Sequence, residues 1–322
     1  MNLLPHYLTA VASLVLAVGL DYLIGDPWSW LHPVQVMGWG IAQWRDLTWR
    51  FLPEGGGRKF SGILLTFTLA GLSGGTTWLL IYLSGEVAET LAIAMEGICL
   101  ASCLGARSLH RAAIEVLTPL QSHDLVHGRL MLNRYVGRDT ENLSQAEILR
   151  ALVETIAENT TDGAIAPLFF GIIGGAPLAM AYKAVSTLDS MVGYLDPPFT
   201  NLGWCSAKLD DLLTWLPCRF TVIAVAIFSG KPLQVWRLCQ RDAPQDPSPN
   251  SGWSECVFAA TLGVQLGGWN YYRNQPKFKP LLAEPHQPLE VATVIQALTL
   301  MRASVIGLLG IGIPLKLLIA LS

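Results

Sequence analysis

The sequence has few charged side chains. Only 14% of its 322 residues are Asp, Glu, Lys or Arg, about half of the 25% typical of a soluble domain. With 52% apolar residues, the chain has too few charges to coat a soluble globule and too many apolar groups to be disordered. The net charge of −3 provides no basic surface for nucleic acid. The composition therefore predicts a helical protein embedded in a lipid bilayer.

Several motifs of soluble nucleotide-binding and metal-binding proteins are absent. No G-x-x-x-x-G-K-[ST] or G-x-G-x-x-G pattern occurs, so any nucleotide must be held by another arrangement. The six cysteines form no C-x-x-C pair, and Cys99 and Cys103 are expected to be small buried groups on an apolar helix. No repeat of fixed period is present, which disfavours a transporter built from symmetric halves.

Long apolar stretches are what the sequence has instead. Residues 60–85 contain no charge at all and are long enough to cross a bilayer. Four further candidates contain or border occasional charges, such as Asp21, Glu96 and Arg219; they are 7–24, 88–106, 212–230 and 303–321. We therefore predict an all-α polytopic membrane protein with about five or six apolar helices, forming a single domain over residues 1–322.

The charge-free segment 164–182 decides between five and six spans. It contains Pro167, Gly171 and the run Gly-Gly-Ala-Pro at 174–177, which predicts a broken or re-entrant helix. Arginines concentrate in the segments 26–59, 107–162 and 231–302, which the positive-inside rule assigns to the cytoplasm. The side of the membrane on which 183–211 lies stays open.

A polar helix is predicted to begin after Ser144, which forms a capping box with Glu147. Its apolar face consists of Ile148, Leu149, Leu152, Val153 and Ile156. The opposite stripe, at the helical period, consists of Glu147, Arg150, Glu154 and Glu158. Two interpretations are open: a solvated face with an Arg150–Glu154 pair, or an oxygen site for Mg²⁺ that continues to Asp162.

Five ordered segments resemble the CobD/CbiB family, the adenosylcobinamide-phosphate synthases of cobalamin biosynthesis. The two central segments are RALVETIAENTTDGAIAPLF at 150–169 and YKAVSTLDSMVGY at 182–194. The others are the Gly-Asp-Pro and His-Pro-Val patterns within 25–34, the pattern within 241–253, and LGGWNYY at 266–272. The resemblance covers about residues 20–310. Three positions depart from the usual family pattern, namely Ser186, Asp246 and Ser254.

The resemblance implies a membrane ligase. Such an enzyme forms an amide between a propionate carboxylate of adenosylcobyric acid and (R)-1-amino-2-propanol phosphate, or a related amino-alcohol, with ATP and Mg²⁺ through an acyl phosphate. It implies a multi-pass protein of the inner or plasma membrane whose site faces the cytoplasm, and which forms a homo-oligomer or associates with other corrinoid-assembly enzymes. A membrane regulator associated with β-lactamase induction shares the fold, so a non-catalytic sensor is the alternative.

Amide formation of this kind needs cations for phosphates, hard oxygens for Mg²⁺ and a base for the amine. The predicted catalytic residues are Glu154, Glu158, Lys183, Asp189 and His32. The predicted metal ligands are Glu154, Glu158, Asp162 and Asp211, since only one of the adjacent acids Asp210 and Asp211 can face a site. The predicted substrate-binding and phosphate-binding residues are Asp26, Arg134, Arg138, Asn159, Asn250, Asn270, Tyr271 and Tyr272.

Several of these residues also have a purely structural explanation. Lys183 is also explained as a lysine that extends to the membrane border, and Arg134 and Arg138 as ordinary cytoplasmic positive charge. Two prolines fix the turn that contains Asp26 and His32, which a turn-capping role explains. The asparagines and tyrosines of the late segments are typical of turns and of an interfacial aromatic belt.

Overall fold

The computed structural model describes residues 4–25, 32–194 and 196–321, and the side chains of residues 11–25, 32–194 and 196–318. Asp26 therefore lies outside the described residues. Twelve α-helices and two strands are present in this part of the chain. They are α1 Leu4–Leu23, α2 Pro33–Phe51, α3 Gly56–Val87, α4 Glu89–Ala101, α5 Ala106–Gln121, α6 Leu125–Leu132, α7 Gln145–Thr160, α8 Ala166–Val192, α9 Trp204–Phe228, α10 Pro232–Asp242, α11 Ser251–Leu262, β1 Leu266–Tyr272, β2 Gln275–Leu282 and α12 Val291–Leu321.

Five helical stretches are long and apolar enough to cross a membrane. They are Gly56–Val87, Glu89–Gln121, Gln145–Val192, Trp204–Phe228 and Val291–Leu318. The 20-residue helix α1 is also apolar, and its described side chains begin at Val11. The prediction of an all-α polytopic membrane protein is thus confirmed.

The chain divides into two compact units. The first contains Met1–Gly105, Asp162–Thr214 and Leu308–Ser322, and the second contains Ala106–Thr161 and Trp215–Gly307. In the first unit, α3 and α4 pack against α8, and α1 packs against α4. Gly62 of α3 approaches the backbone of Leu202 so closely that a Cβ atom would lie 2.0 Å from the Leu202 carbonyl oxygen. A side chain at this position would therefore separate α3 from the segment that precedes α9.

The predicted break in α8 is present at Gly174 and Gly175. Gly174 has φ −130° and ψ 19°, and Gly175 has φ 68°, a conformation that glycine adopts without strain. Such a break interrupts the helical hydrogen-bond ladder and leaves backbone groups to be satisfied by neighbours. The Lys316 ammonium group donates a hydrogen bond of 3.0 Å to the Gly171 carbonyl. Lys316 thus has a partner inside the unit, so it does more than extend to the membrane border.

We expect Lys316→Met to lower thermal stability. It leaves the buried Gly171 carbonyl without its donor and removes the positive charge that interacts with Glu96. An unsatisfied buried carbonyl costs about 1–3 kcal/mol, which should lower the unfolding temperature measured in detergent. The control is Lys208→Met, because the Lys208 side chain is 65% exposed and its ion pair is long, at 3.8 Å. Equal unfolding temperatures for Lys316→Met and the wild type would contradict this role.

The second unit has its own hydrophobic core, and α7 crosses it. Ile148, Leu149, Leu152, Val153 and Ile156 are all buried there, which confirms the apolar face predicted for this helix. The capping box is also confirmed, since the Ser144 and Glu147 side chains each accept a hydrogen bond from the other's backbone N–H. The helix does not end at Asp162. It continues into α8 through a π-helical turn over Thr161–Ile165.

The second unit also contains a β-hairpin where the sequence suggested loops. Strands β1 and β2 pair antiparallel, and the turn residues Arg273 and Asn274 have φ angles of 52° and 63°. Two successive positive φ angles match the right-handed twist of a two-residue hairpin. The prolines at 276 and 280 are tolerated because each strand of a two-stranded sheet has one free edge. The sequence predicts an irregular connector over 273–288, and this prediction is wrong for Gln275–Leu282, which forms β2.

Candidate functional site

Glu154 lies at the centre of a buried polar cluster in the second unit. Its side chain is 2% exposed, and its Oε2 accepts a hydrogen bond of 2.5 Å from the Arg138 guanidinium. Oε1 accepts a hydrogen bond of 3.0 Å from the backbone N–H of Gly267 and lies 3.9 Å from Arg150. One carboxylate thus balances two arginines. The pKa of Arg138 is lowered by burial, but the Glu154 charge outweighs this and raises it overall.

Asn270 connects the same two arginines. Its side-chain oxygen accepts hydrogen bonds of 2.7 Å from Arg138 and 3.1 Å from Arg150. The side chain is buried, and these contacts use the side-chain oxygen of a residue that was predicted to bind substrate. In this arrangement Asn270 fixes the directions of both guanidinium groups.

A bulge in β1 shapes the backbone around Glu154. Gly267 and Gly268 have φ angles of 85° and 91°, and the strand register shifts at this point. The bulge directs both polar backbone groups of Gly267 toward α7, so that its N–H contacts Glu154 and its carbonyl accepts from Arg150. A Cβ atom at Gly267 would lie 2.0 Å from the Pro280 carbonyl oxygen. Only glycine fits here, which explains the Gly-Gly pair of this segment.

A second ion pair lies in the same unit and joins α11 to the hairpin. The Lys279 ammonium group lies 2.5 Å from Oε1 of Glu255, whose side chain is fully buried. Oε2 of Glu255 is buried and has no hydrogen-bond partner among the described residues. Burial and the charges of Glu154 and Glu158 raise the pKa of Glu255 to about 8, although Lys279 acts in the opposite direction. Burial lowers the pKa of Lys279, but the three carboxylates outweigh it and raise the pKa, so Lys279 stays protonated.

We expect Glu255→Gln to flatten the pH dependence of stability. The pKa is about 8 in the folded chain and about 4.3 when unfolded, so the folded state binds the proton more tightly. The resulting stabilisation is complete below about pH 4.3 and is lost as pH rises through about 8. Unfolding temperatures of both proteins between about pH 5 and pH 9 test this. Parallel curves for the wild type and the variant would contradict it.

Glu158 and Asn159 are exposed at the end of α7, next to the buried cluster. Four charged side chains lie close enough to interact electrostatically with Glu158, namely Lys279, Asp246, Glu154 and Arg138. The Asn159 amide donates a hydrogen bond of 3.0 Å to the Thr155 carbonyl. The polar stripe of α7 is thus divided, with a buried part at Glu154 and an exposed part at Glu158.

The carboxylates differ in how well they fit a magnesium ion. In the described ranges, no three His, Cys, Asp or Glu side chains are grouped so that they could hold a metal. Both oxygens of Glu154 already accept hydrogen bonds, whereas Glu158 is exposed and Oε2 of Glu255 is open to a further contact. Mg²⁺ usually binds through one or two carboxylates and substrate phosphates. Glu158 fits this requirement better than Glu154, and the metal set stays a prediction.

Four predicted residues from the middle of the chain belong to the first unit. Lys183 and Asp189 lie on α8, and Asp211 pairs with Lys208 on α9. The adjacent Asp210 is the acid whose surrounding charges include Asp189 and Lys183, so it is the member of the pair that faces them. Asp162 begins this unit's second segment, within the π-helical turn.

His32 also lies in the first unit and has a clear structural role there. Its ring nitrogen Nδ1 accepts a hydrogen bond of 3.3 Å from the backbone N–H of Val34. The side chain of Gln35 completes a capping box at the start of α2. Capping of α2 therefore accounts for this nitrogen of His32.

The remaining predicted residues of the second unit have other surroundings. Arg134 pairs with Glu115 at 3.4 Å beside a separate cavity of about 600 Å³. Asn250 is buried at the start of α11, and its side-chain oxygen accepts a hydrogen bond of 3.3 Å from Arg219. Tyr271 and Tyr272 are exposed at the end of β1. The substrate-binding roles of these four residues stay predictions.

Sequence reasoning missed Glu255 and Lys279. Glu255 is the single charged residue between positions 247 and 272. A lone acid in a long uncharged stretch is a usable signal, since burial of an unpaired carboxylate is unfavourable and implies a distant partner. Lys279 gave no comparable signal, because its segment was interpreted as a loop.

Comparisons with known proteins agree on one family. The model of the family described as CobD/Cbib protein matches residues 14–301. A cobalamin biosynthesis protein CobD from Synechocystis sp. is 48% identical over 98% of this chain and 94% of its own length. A cobalamin biosynthesis protein CbiB from Salmonella typhi is 40% identical over 88% of this chain and 90% of its own length.

A third relative, a CobD protein from Halalkalibacterium halodurans, is 38% identical over 93% of this chain and 94% of its own length. No solved structure matches the chain. The matches extend over both compact units and include the α7 segment and the hairpin. The chain therefore belongs to the CobD/CbiB family of cobalamin biosynthesis proteins.

Proposed function

We propose that this chain joins a propionate carboxylate of adenosylcobyric acid to (R)-1-amino-2-propanol phosphate, or a related amino-alcohol, with ATP and Mg²⁺ as co-reactants. Membership of the family supports a role in cobalamin assembly. The observation that supports the finer proposal is the exposed Glu158, which interacts electrostatically with Lys279 and Arg138. An acidic oxygen next to oriented cations is what a magnesium-bound phosphate requires.

The proposed reaction has two steps. A carboxylate oxygen of the corrinoid attacks the terminal phosphorus of ATP, the bond to ADP breaks, and an acyl phosphate forms. The amine nitrogen then attacks the acyl carbon, inorganic phosphate leaves, and the nitrogen loses a proton to a base. Each step moves negative charge on phosphate oxygens, so fixed cations that need no rearrangement lower the barrier.

The residues of the second unit are suited to different parts of this task. Arg138 and Arg150 are held by Glu154 and Asn270, so their charges are fixed in direction before a substrate arrives. Lys279 stays protonated and is partly exposed, which suits contact with a phosphate. Glu158 would hold Mg²⁺, which supplies charge neutralisation on the phosphates when bound.

We also propose an inner or plasma membrane location with this site facing the cytoplasm. The arginines of residues 107–162 and 231–302 favour the cytoplasmic side for these segments. Both substrates are highly polar and ATP is cytoplasmic, which is consistent with that orientation.

A direct assay tests the proposal. The full chain, purified in detergent and shown to be folded by its unfolding transition, is mixed with adenosylcobyric acid, aminopropanol phosphate, ATP and Mg²⁺. Adenosylcobinamide phosphate is expected in equal amount to the ADP released. Omission of ATP, Mg²⁺ or the amino-alcohol should each abolish the product. A folded protein that forms no product under these conditions would argue for the non-catalytic alternative.

A further inference from the structure

A second cavity in the second unit lies between α10 and the segment that precedes α12. Its volume is about 800 Å³, and its lining includes Lys231, Arg237, Arg241, His286 and Glu284. We propose that this cavity, here called the basic cavity, binds the phosphoryl headgroup of an anionic phospholipid. The proposal is independent of the ligase reaction and uses none of its residues.

Two cations in the basic cavity are available to contact a ligand. Arg241 is held by Asp242 at 2.7 Å and by Glu284 at 2.9 Å, so its charge is already balanced. Lys231 and Arg237 are exposed, and neither takes part in a salt bridge within the part of the chain that the structure describes. Apart from His286, the charged residues that line the cavity are three bases and one acid. The cavity is therefore complementary to a phosphate.

Both walls of the basic cavity adjoin apolar helices that are long enough to cross a membrane. Lys231 follows the end of α9 at Phe228 by three residues, and His286 precedes the start of α12 at Val291 by five. An extended residue spans at most about 3.6 Å, so these walls lie within about 11 Å and 18 Å of the helix ends. The headgroup layer begins where the apolar part of a span ends. Two candidate spans therefore end within these distances of the cavity walls, which brings lipid phosphates within reach of the cavity.

Exposed apolar side chains on α9 and α10 favour a lipid over a soluble anion. Leu216, Ile223 and Ile227 form an exposed apolar stripe along α9 and are each more than half exposed. On α10, Leu233 is 74% exposed and lies one turn before Arg237. Val235 and Cys239 on the opposite face of α10 are buried in the core. A helix that exposes both basic and large apolar residues is typical of a membrane interface.

Lipid titration of the purified full chain tests this proposal. The detergent-solubilised protein is delipidated and titrated with phosphatidylglycerol or phosphatidylcholine, and bound lipid is counted by native mass spectrometry. Phosphatidylglycerol is expected to bind and phosphatidylcholine to bind at least tenfold more weakly. Each basic residue near a headgroup contributes about fivefold in affinity, so K231Q/R237Q should bind phosphatidylglycerol about 25-fold more weakly. The control R273Q/K277Q removes two exposed charges from the hairpin and should bind like the wild type.

Further variants and ligands make each outcome decisive. R237K keeps the charge and should retain phosphatidylglycerol binding within about threefold. The unfolding temperature of K231Q/R237Q without lipid should equal that of the wild type, because both side chains are exposed. Three results would each overturn the proposal: equal affinity for the two lipids, undiminished binding by K231Q/R237Q, or equally tight binding of glycerol phosphate without acyl chains. The last would identify a site for soluble anions.

Discussion

Glu154→Gln is expected to be the most destabilising conservative change in the second unit. The substitution keeps the shape of the side chain but removes the counter-ion of Arg138 and Arg150, whose side chains are 10% and 14% exposed. Removing one partner of a buried ion pair costs about 3–5 kcal/mol, because the remaining charge stays buried. The unfolding temperature in detergent should therefore fall sharply, and the proposed ligase activity should be lost with it.

The exposed pair between Arg134 and Glu115 is a matched control for this prediction. Glu115→Gln also removes a carboxylate from an arginine, but these side chains are 48% and 30% exposed. Exposed pairs contribute about 0–1 kcal/mol, so its unfolding temperature should hardly change. The double variant with Arg138→Gln should recover part of the stability lost in Glu154→Gln, since it removes one of the unpaired charges. Equal, small effects of Glu154→Gln and Glu115→Gln would show that the buried pair is not important for stability.

Glu158→Gln is expected to leave stability almost unchanged and to lower the rate of the proposed reaction strongly. Its side chain is exposed at the end of α7, so loss of the charge should change stability by less than about 0.5 kcal/mol. If Glu158 holds Mg²⁺ at the phosphates, turnover should fall at least about 100-fold. The Mg²⁺ concentration needed for half-maximal rate should also rise, which a purely structural role would not produce.

Glu141→Gln provides the control for that experiment. Glu141 is an exposed acid of the same unit, and the variant makes the same change in charge. It should keep both its unfolding temperature and its rate. Near-full activity of Glu158→Gln would refute the metal assignment. Loss of activity together with loss of folding would show that Glu158 has a structural role.

Local patterns in the sequence were sufficient to predict the start and buried face of α7 and the break in α8. The capping box at Ser144 and the apolar spacing from Ile148 to Ile156 fixed both the start of α7 and its buried face, as the structure confirms. The Gly174–Gly175 pair likewise predicted the break in α8. These features depend on residues within a few helical turns of each other, so a short stretch of sequence is enough to predict them.

The contacts of the candidate site could not be predicted in the same way. The periodicity of α7 left open whether Glu154 is solvated, and the answer depends on Gly267, which is 113 residues away in the sequence. The hairpin was hidden because its prolines and Gly-Gly pair are typical of loops. Without the hairpin, neither the ion pair of Glu255 with Lys279 nor the bridging role of Asn270 could be inferred.

The dependence of α7 on the hairpin has a consequence for biosynthesis. A ribosome that has just added Glu154 must add 113 more residues before Gly267 exists to contact it. At about 5–20 residues per second, this takes roughly 6–23 seconds. During that interval Arg138, Arg150 and Glu154 lack the partners that the hairpin supplies. A chain truncated before the hairpin would keep this defect, which gives cellular proteases a means of distinguishing it from the finished protein.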